Sequence, residues 1–238
     1  MTALGYFLVS AILLVPALLI AIPLHELGHA AAAYFLGDRS VRYFGYFKYN
    51  PRRLLDLVGT IAVFIALVGW GKKIPVQPNR ISSAWQRIVY ELGGPAANLL
   101  AAILLGIPLR FFLGGGVQPG LTSWMALVAF AVYAIWFLNV SLFAFQLLPI
   151  PGLDGWGVIE AIFRPGNSRF FFSVDSRRRE ILMVAIGILL VGSLFRIPVL
   201  SVVMSPFYTA ASLISLGQCS GYGIPNFNGL SPCLVSAA

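Results

Sequence analysis

The sequence predicts an all-α protein that crosses a membrane several times. Of its 238 residues, 59% are hydrophobic and only 10% are charged, whereas soluble domains carry about a quarter charged residues. Uncharged stretches over residues 1–24, 92–109 and 111–153 are long enough to span a bilayer. So few charges cannot cover a water-facing surface, and lipid is therefore the expected solvent.

Five membrane spans are expected, over residues 5–36, 85–109, 121–149, 181–195 and 197–217. The first is too long for the apolar part of a signal peptide, so we expect it to be retained. A further apolar segment, residues 57–71, is short and lies between two basic stretches, which favours a re-entrant hairpin over a crossing. The predicted fold is a multi-pass protein with about five to six transmembrane helices, in one domain (residues 1–217) followed by an uncharged tail (residues 218–238).

Two stretches between the first two full spans have an extended character. Residues 41–49 are rich in aromatics and predict a strand. Residues 72–78 contain Pro75 and Pro78, which exclude a helix there. A short re-entrant or β-like element is therefore predicted between these two spans.

The basic residues indicate membrane sidedness rather than nucleic acid binding. The net charge is +8, and 14 of the 16 Lys and Arg residues fall in the stretches 39–53, 72–87 and 164–179. The positive-inside rule places all three on the cytoplasmic side of a bacterial plasma membrane or an organelle membrane. This orientation brings residues 25–29 and Asp154 to a similar membrane depth.

The segment His25-Glu26-Leu27-Gly28-His29 carries the strongest chemical signal, and it contains both histidines of the protein. On a helix, residues i and i+4 share one face, so both imidazoles can bind one metal ion. Zinc suits two imidazoles and a carboxylate with a fourth position open to water. We predict one zinc ion per chain, with His25 and His29 as ligands and Glu26 as the catalytic residue that takes a proton from water.

A third ligand is needed, and Asp154 is the leading candidate. It is flanked by apolar and turn residues, whereas Asp38, for example, sits among basic residues as expected for a solvated loop. The alternative role for Asp154 is an Asx turn or the N-cap of a following helix. Glu160 and Glu91 are competing ligands.

In order and spacing, these residues resemble the site-2 protease family of intramembrane zinc metalloproteases. The matching motifs are HELGH at 25–29, GPAAN at 94–98, LDG at 153–155 and GWGKKIPVQPN at 69–79, with further similarity at Asn50-Pro51 and Asp56. The resemblance covers roughly residues 20–160. It implies that Asp154 is the third zinc ligand, and that the reaction is hydrolysis of a peptide bond in or near a transmembrane segment of a protein substrate.

Three positions depart from the family's pattern. Gln146 stands where the family usually has Asn eight residues before the ligand Asp, a side chain that helps near the scissile carbonyl. Gln keeps the amide but moves it by one methylene. Gly152 replaces a common Pro, which loosens the turn. Leu54 stands where many short members have His, so this position cannot bind metal.

Asn98 and Asn139 are polar residues within apolar spans. Each has two possible roles: an interhelical hydrogen bond, or a contact with the substrate or its oxyanion, as for Gln146. The sequence leaves both open.

Two other functions compete with proteolysis. One is a non-proteolytic membrane protein that uses the site for metal binding, transport or scaffolding, although a transporter would normally show more polar residues along its spans. The other is a membrane hydrolase acting on lipid-linked amides. The two cysteines, Cys219 and Cys233, do not fit a zinc spacing and are expected to be free thiols.

Overall fold

The computed structural model describes residues 3–77, 79–114, 124–195 and 199–216. Within these ranges all regular structure is helical, apart from two isolated bridge pairs. The helices are α1 (Ala3–Phe35), α2 (Ser40–Tyr43), α3 (Pro51–Leu54), α4 (Leu57–Ala66), α5 (Ala84–Gly114), α6 (Trp124–Gln146), α7 (Asp154–Phe163), α8 (Ser168–Ser176), α9 (Arg178–Leu194) and α10 (Val199–Leu216). The tail that carries both cysteines lies outside the described residues.

Three of these helices are long and apolar enough to cross a membrane: Leu14–Phe35, Ala84–Leu109 and Val128–Gln146. They confirm an all-helical membrane protein and match the first three full spans expected from the sequence. Helices α9 and α10 occupy the positions of the other two expected spans. That those two also cross the membrane, and the total of five to six spans, stay predictions, as does the single domain.

Helices α1 and α5 pack in backbone contact at Gly28 and Gly93. A Cβ on Gly28 would lie 2.7 Å from the Ala97 Cβ, and one on Gly93 would lie 2.8 Å from the Gly28 carbonyl oxygen. In lipid, helices associate through such close packing of small residues, because no hydrophobic effect drives them together. Helix α6 completes the core with fully buried Trp136 and Phe145.

Residues 55–71, here called the hairpin, form a loop whose two ends lie side by side. Leu55 and Gly71 form an antiparallel bridge that closes the loop around α4. Asp56 accepts a hydrogen bond from the Gly59 backbone N–H at 2.9 Å and so begins the helix. Gly59 and Trp70 then pack together, which holds the returning residues 67–71 along α4. This geometry supports the predicted hairpin; its insertion into the membrane stays a prediction.

The predicted strand over residues 41–49 is wrong. The segment begins as the short helix α2 and continues in turns, with a hydrogen bond from the Tyr46 backbone N–H to the Val41 carbonyl. Val41 is fully buried, and the Arg53 guanidinium lies 5.2 Å from the Tyr46 ring centroid. Tyr46 thus packs against Arg53, whereas the other aromatic side chains of the segment are exposed: Tyr43, Phe44, Phe47 and Tyr49. Residues 72–77, here called the connector, form no helix, as Pro75 predicts.

Asp38 links the end of α1 to the connector, and the expectation that it is solvated is wrong. Its side chain is only 1% exposed and accepts hydrogen bonds from the Ser40 hydroxyl at 2.6 Å, the Ser40 N–H at 3.0 Å and the Gln77 N–H at 2.8 Å. Burial alone would raise the pKa of this carboxyl, but the hydrogen bonds outweigh burial and hold the pKa below its ordinary value.

We expect Gly59→Ala to destabilise the protein by about 1–3 kcal/mol. The new methyl carbon would lie 2.9 Å from the Trp70 ring, and the returning arm of the hairpin would have to move. Proteolysis within residues 67–71 and thermal unfolding in detergent measure the effect. Gly187→Ala is the control, because nothing lies within 4 Å of its Cβ position. Equal stability of the two variants would contradict this packing.

Asp38→Asn should lower stability at neutral pH by about 1–3 kcal/mol, since a charge-assisted acceptor is lost. A carboxyl with a lowered folded-state pKa stabilises the protein above its unfolded pKa, about 4, and loses that contribution as pH falls through the folded pKa. The gap between variant and wild type should therefore shrink below pH 4 in unfolding experiments. A gap that is constant with pH would refute this role, and Glu180→Gln on the exposed surface controls for loss of charge.

Candidate metal centre

Helix α1 presents His25 and His29 on adjacent turns of one face. Both are nearly fully buried, with exposed fractions of 3% and 1%, and their ring centroids lie 4.8 Å apart. The Nε2 atoms approach each other at 3.1 Å. Because of the i, i+4 spacing, the two Nε2 atoms point toward one place, as the motif predicts.

Helix α5 fixes the orientation of both imidazoles. Asn98 donates from Nδ2 to the Ala21 carbonyl (3.1 Å) and to Asn139 Oδ1 (2.7 Å), so its Oδ1 must accept from His25 Nδ1, at 2.6 Å. His29 Nδ1 donates to the Tyr90 carbonyl at 2.8 Å. Since each Nδ1 carries the proton, both Nε2 atoms present a lone pair to the centre.

Asp154 lies at the start of α7 and turns its Oδ2 toward the same point. Oδ2 lies 3.0 Å from His25 Nε2 and 3.1 Å from His29 Nε2. Asp154 is 4% exposed, and a carboxylate buried this deeply needs a cation or a proton beside it. The N-cap position belongs to Leu153, so the alternative role of Asp154 as an N-cap is not supported.

These three residues fit a zinc ion. His25, His29 and Asp154 form the group of buried side chains with metal-binding geometry in the described part of the chain. Three acceptor atoms 3.0–3.1 Å apart repel one another unless a cation or proton lies between them. Tetrahedral zinc holds such ligands roughly 3.3 Å apart, so only a small adjustment is needed. Two imidazoles and one carboxylate leave a fourth position for water or substrate.

Glu26 lies beside this group with one oxygen free. It is 3% exposed, and within the described residues its Oε2 has no hydrogen-bond partner. A Cβ on Gly71 would lie 2.7 Å from the Glu26 Cγ, so the end of the hairpin covers this carboxylate. A buried carboxylate oxygen without a partner is costly for stability, which is typical of a group kept for chemistry.

Gly94 of α5 forms the wall behind the imidazoles. A Cβ at this position would lie 2.6 Å from His25 Nε2 and Cε1, and it would also strike His29 Nε2. Gly94 opens the GPAAN motif, and the surface against which it packs is the metal-binding group itself.

Asn98 is one of the polar residues within the apolar spans, and both its amide nitrogen and its amide oxygen form hydrogen bonds within the protein. Asn139 receives one of these bonds and donates to the Ile135 carbonyl at 2.8 Å. This supports the interhelical role over contact with substrate. Gln146 donates from Nε2 to the Gly69 carbonyl at 3.2 Å, which ties α6 to the hairpin. Its contact with substrate stays a prediction.

The competing carboxylates are engaged elsewhere. Glu91 pairs with Lys73 at 2.5 Å, and Glu160 pairs with Arg164 one helical turn away. Lys73 also lies 3.7 Å from the second oxygen of Asp154. Neither Lys73 nor the Tyr90 carbonyl was expected beside the centre. Lys73 lies within the GWGKKIPVQPN motif, whereas a backbone carbonyl has no sequence signal.

Sequence comparison matches the chain to relatives named as zinc metalloproteases. It is 36% identical over 157 residues to "Putative zinc metalloprotease YwhC" of Bacillus subtilis, an alignment that covers 64% of this chain and 70% of that protein. It is 36% and 35% identical to proteins named "Putative zinc metalloprotease Rip2" from Mycolicibacterium smegmatis and Mycobacterium tuberculosis, of which it covers 60% and 57%. No family model and no solved structure matches the chain.

Membrane helices that bring two histidines and an aspartate together, in a chain with these relatives, define a membrane protein of the zinc metalloprotease class. The chain belongs to the site-2 protease family, as the resemblance of its motifs implied.

Asn98→Ala should weaken zinc binding by roughly 10- to 100-fold, because His25 loses the acceptor that orients it. Asn139→Ala, one hydrogen bond further away, should weaken it less. Competition with a chelator of known affinity measures both variants.

A change in stability with unchanged zinc affinity in both variants would show that these residues only hold helices together. A fall in kcat with unchanged zinc affinity would instead indicate contact with the reacting carbonyl.

Proposed function

We propose that the protein is an intramembrane zinc metalloprotease that hydrolyses a peptide bond in or near a transmembrane segment of a membrane protein. The observation that carries the proposal is the buried group of His25, His29 and Asp154 with the unpartnered Glu26 Oε2 beside it. The names of the relatives support metalloprotease activity.

The three ligands and Glu26 have distinct tasks in this proposal. Zinc held by His25, His29 and Asp154 supplies Lewis acidity, which lowers the pKa of water and polarises a carbonyl. Glu26 Oε2 accepts a proton from the attacking water and returns it to the leaving amine. The hydrogen bonds from each Nδ1 keep both imidazoles in the tautomer that leaves Nε2 free.

The connector, residues 72–77, is the proposed place for the substrate backbone. A transmembrane helix hides its carbonyls in internal hydrogen bonds, so a substrate must unwind before its peptide bond is attacked. The connector is not helical, follows Gly71 beside Glu26, and is anchored by the hydrogen bond from the Tyr90 hydroxyl to the Ile74 carbonyl at 2.8 Å. An unwound segment could add to it as a strand. The turns observed over residues 41–49 make that stretch unsuitable.

The proposed active site faces the cytoplasm. His25 and His29 lie in the second half of α1, Tyr90 in the second turn of α5 and Asp154 at the start of α7. These helix ends adjoin the three basic stretches, which the positive-inside rule places on the cytoplasmic side. The membrane itself, bacterial plasma membrane or organelle membrane, is part of the same proposal.

A non-proteolytic role in metal transport or scaffolding is less well supported. The three metal-ligating atoms leave room for a fourth ligand, whereas a purely structural site is normally closed. Glu26, buried with a free oxygen, has no structural task among the described residues.

Glu26→Gln should retain zinc and lower cleavage of a synthetic transmembrane peptide by roughly 10²- to 10⁴-fold, because the general base is lost and the ligands are not. Metal content and peptide cleavage are measured on the same purified protein. Wild type treated with a chelator should lose activity and regain it with added zinc.

Glu180→Gln, an exposed change of the same kind, is the control and should cleave as wild type does. Full cleavage by the Glu26→Gln protein would rule out this mechanism. Hydrolysis of lipid-linked amides without peptide cleavage would redirect the proposal to another substrate class.

A further inference from the structure

A cavity of about 340 Å³ lies beside the metal centre. Its walls come from the connector, the first turns of α5, helix α7 and the start of α9. Ile74, Pro75 and Val76 give one wall an apolar surface. The volume lies at the lower end of the range for small-ligand pockets, so it suits a single side chain rather than a folded partner.

The cavity shares residues with the metal centre. Lys73 lines it and lies 3.7 Å from Asp154 Oδ1. Tyr90 lines it as well, and its carbonyl holds His29. A side chain in the cavity would therefore belong to a substrate residue close to the scissile bond.

The carboxylates of the cavity are already neutralised. Glu91 pairs with Lys73 at 2.5 Å and rests against Gly157, where a Cβ would lie 2.7 Å from its Cγ. Glu160 pairs with Arg164, which also contacts Asp175 at 3.1 Å. Neither carboxylate is therefore available to form an ion pair with the other cations of the cavity.

Among the side chains that line the cavity, two guanidinium groups have no acidic partner within the described part of the chain: those of Arg87 and Arg178. Both residues line the cavity and both are partly buried. A partly desolvated guanidinium gains most from a carboxylate, which it can bind with two hydrogen bonds. The cavity is thus electrostatically suited to an anion.

We propose that this cavity is a specificity subsite for an acidic side chain of the substrate, Asp or Glu, with Arg87 and Arg178 as the residues that select it. This inference rests on the proposed protease function. A substrate carboxylate is favoured over a lipid phosphate because the cavity is bounded by the connector, where the substrate backbone is placed, and by the metal centre.

The test uses transmembrane peptides that carry either Glu or Gln at one position in turn around the cleavage site, with the full chain in bilayers of neutral lipid. At one register, the Glu peptide should have a kcat/KM roughly tenfold higher than its Gln partner. Arg87→Gln and Arg178→Gln should each reduce this preference, because they slow cleavage of the Glu peptide more than cleavage of the Gln peptide. Arg179→Gln, an exposed neighbour, should retain the preference.

Charge reversal provides the sharper variant. Arg178→Glu should reverse the preference toward a peptide with Lys at the same register, and Arg178→Lys should keep part of the preference for Glu. Equal slowing of Glu and Gln peptides in these variants would overturn the subsite, because it would reveal a structural role alone.

A second readout separates this inference from the proposed function. Fluorescent peptides are titrated onto the zinc-loaded Glu26→Gln protein, so that binding is measured without cleavage. Preference for Glu in binding, without cleavage by wild type, would support the subsite and refute the protease. Cleavage with no difference between Glu and Gln at any register would refute the subsite alone. An effect of Arg87→Gln seen only with anionic lipid present would assign the cavity to a lipid headgroup and overturn the inference.

Discussion

The backbone contact between α1 and α5 at Gly28 and Gly93 determines the geometry of the metal centre. Any side chain at Gly28 would collide with the Gly93 carbonyl and push the helices apart. At the observed distance, Asn98 and the Tyr90 carbonyl reach the two Nδ1 atoms that set the histidine tautomers. In a bilayer such contacts between small residues also hold the helices together, so one crossing serves both stability and ligand orientation.

Much of the centre could be predicted from the sequence, for physical reasons that differ between its residues. His25 and His29 follow from helical periodicity, since i and i+4 share a face, and Glu26 follows from its place in the HExxH motif. Asp154 was the leading candidate because of its apolar and turn-forming neighbours, and the resemblance to the family implied its role as third ligand; the 3.0 Å approach of its Oδ2 to His25 agrees with that role. The role of Tyr90 could not be predicted, because it acts through a backbone carbonyl and depends on the tertiary arrangement.

The two wrong predictions, for residues 41–49 and for Asp38, have the same cause: contacts in the folded chain override the local sequence pattern. Residues 41–49 have high strand propensity, but strand propensity expresses packing on a sheet and no neighbouring strand is present in the described residues. Asp38 lies among basic residues in the sequence, yet it is buried in the structure. There the backbone N–H groups of Ser40 and Gln77 donate hydrogen bonds to its carboxylate. In contrast, the antiparallel bridge between Leu55 and Gly71 agrees with the hairpin that length and flanking charges predicted for residues 57–71, and its re-entry into the membrane stays a prediction.

The turn before Asp154 limits how sequences in this family can be exchanged. Gly152 has φ of +114°, and its Cβ position lies 2.8 Å from Leu182 of α9. Proline, common at this position in the family, is restricted to φ near −65° and cannot adopt this turn. A chimera that carries the proline alone would therefore displace Asp154. A chimera that exchanges residues 149–154 together with the facing part of α9 would keep Asp154 in place. The turn and the part of α9 that packs on it would therefore have to be exchanged together.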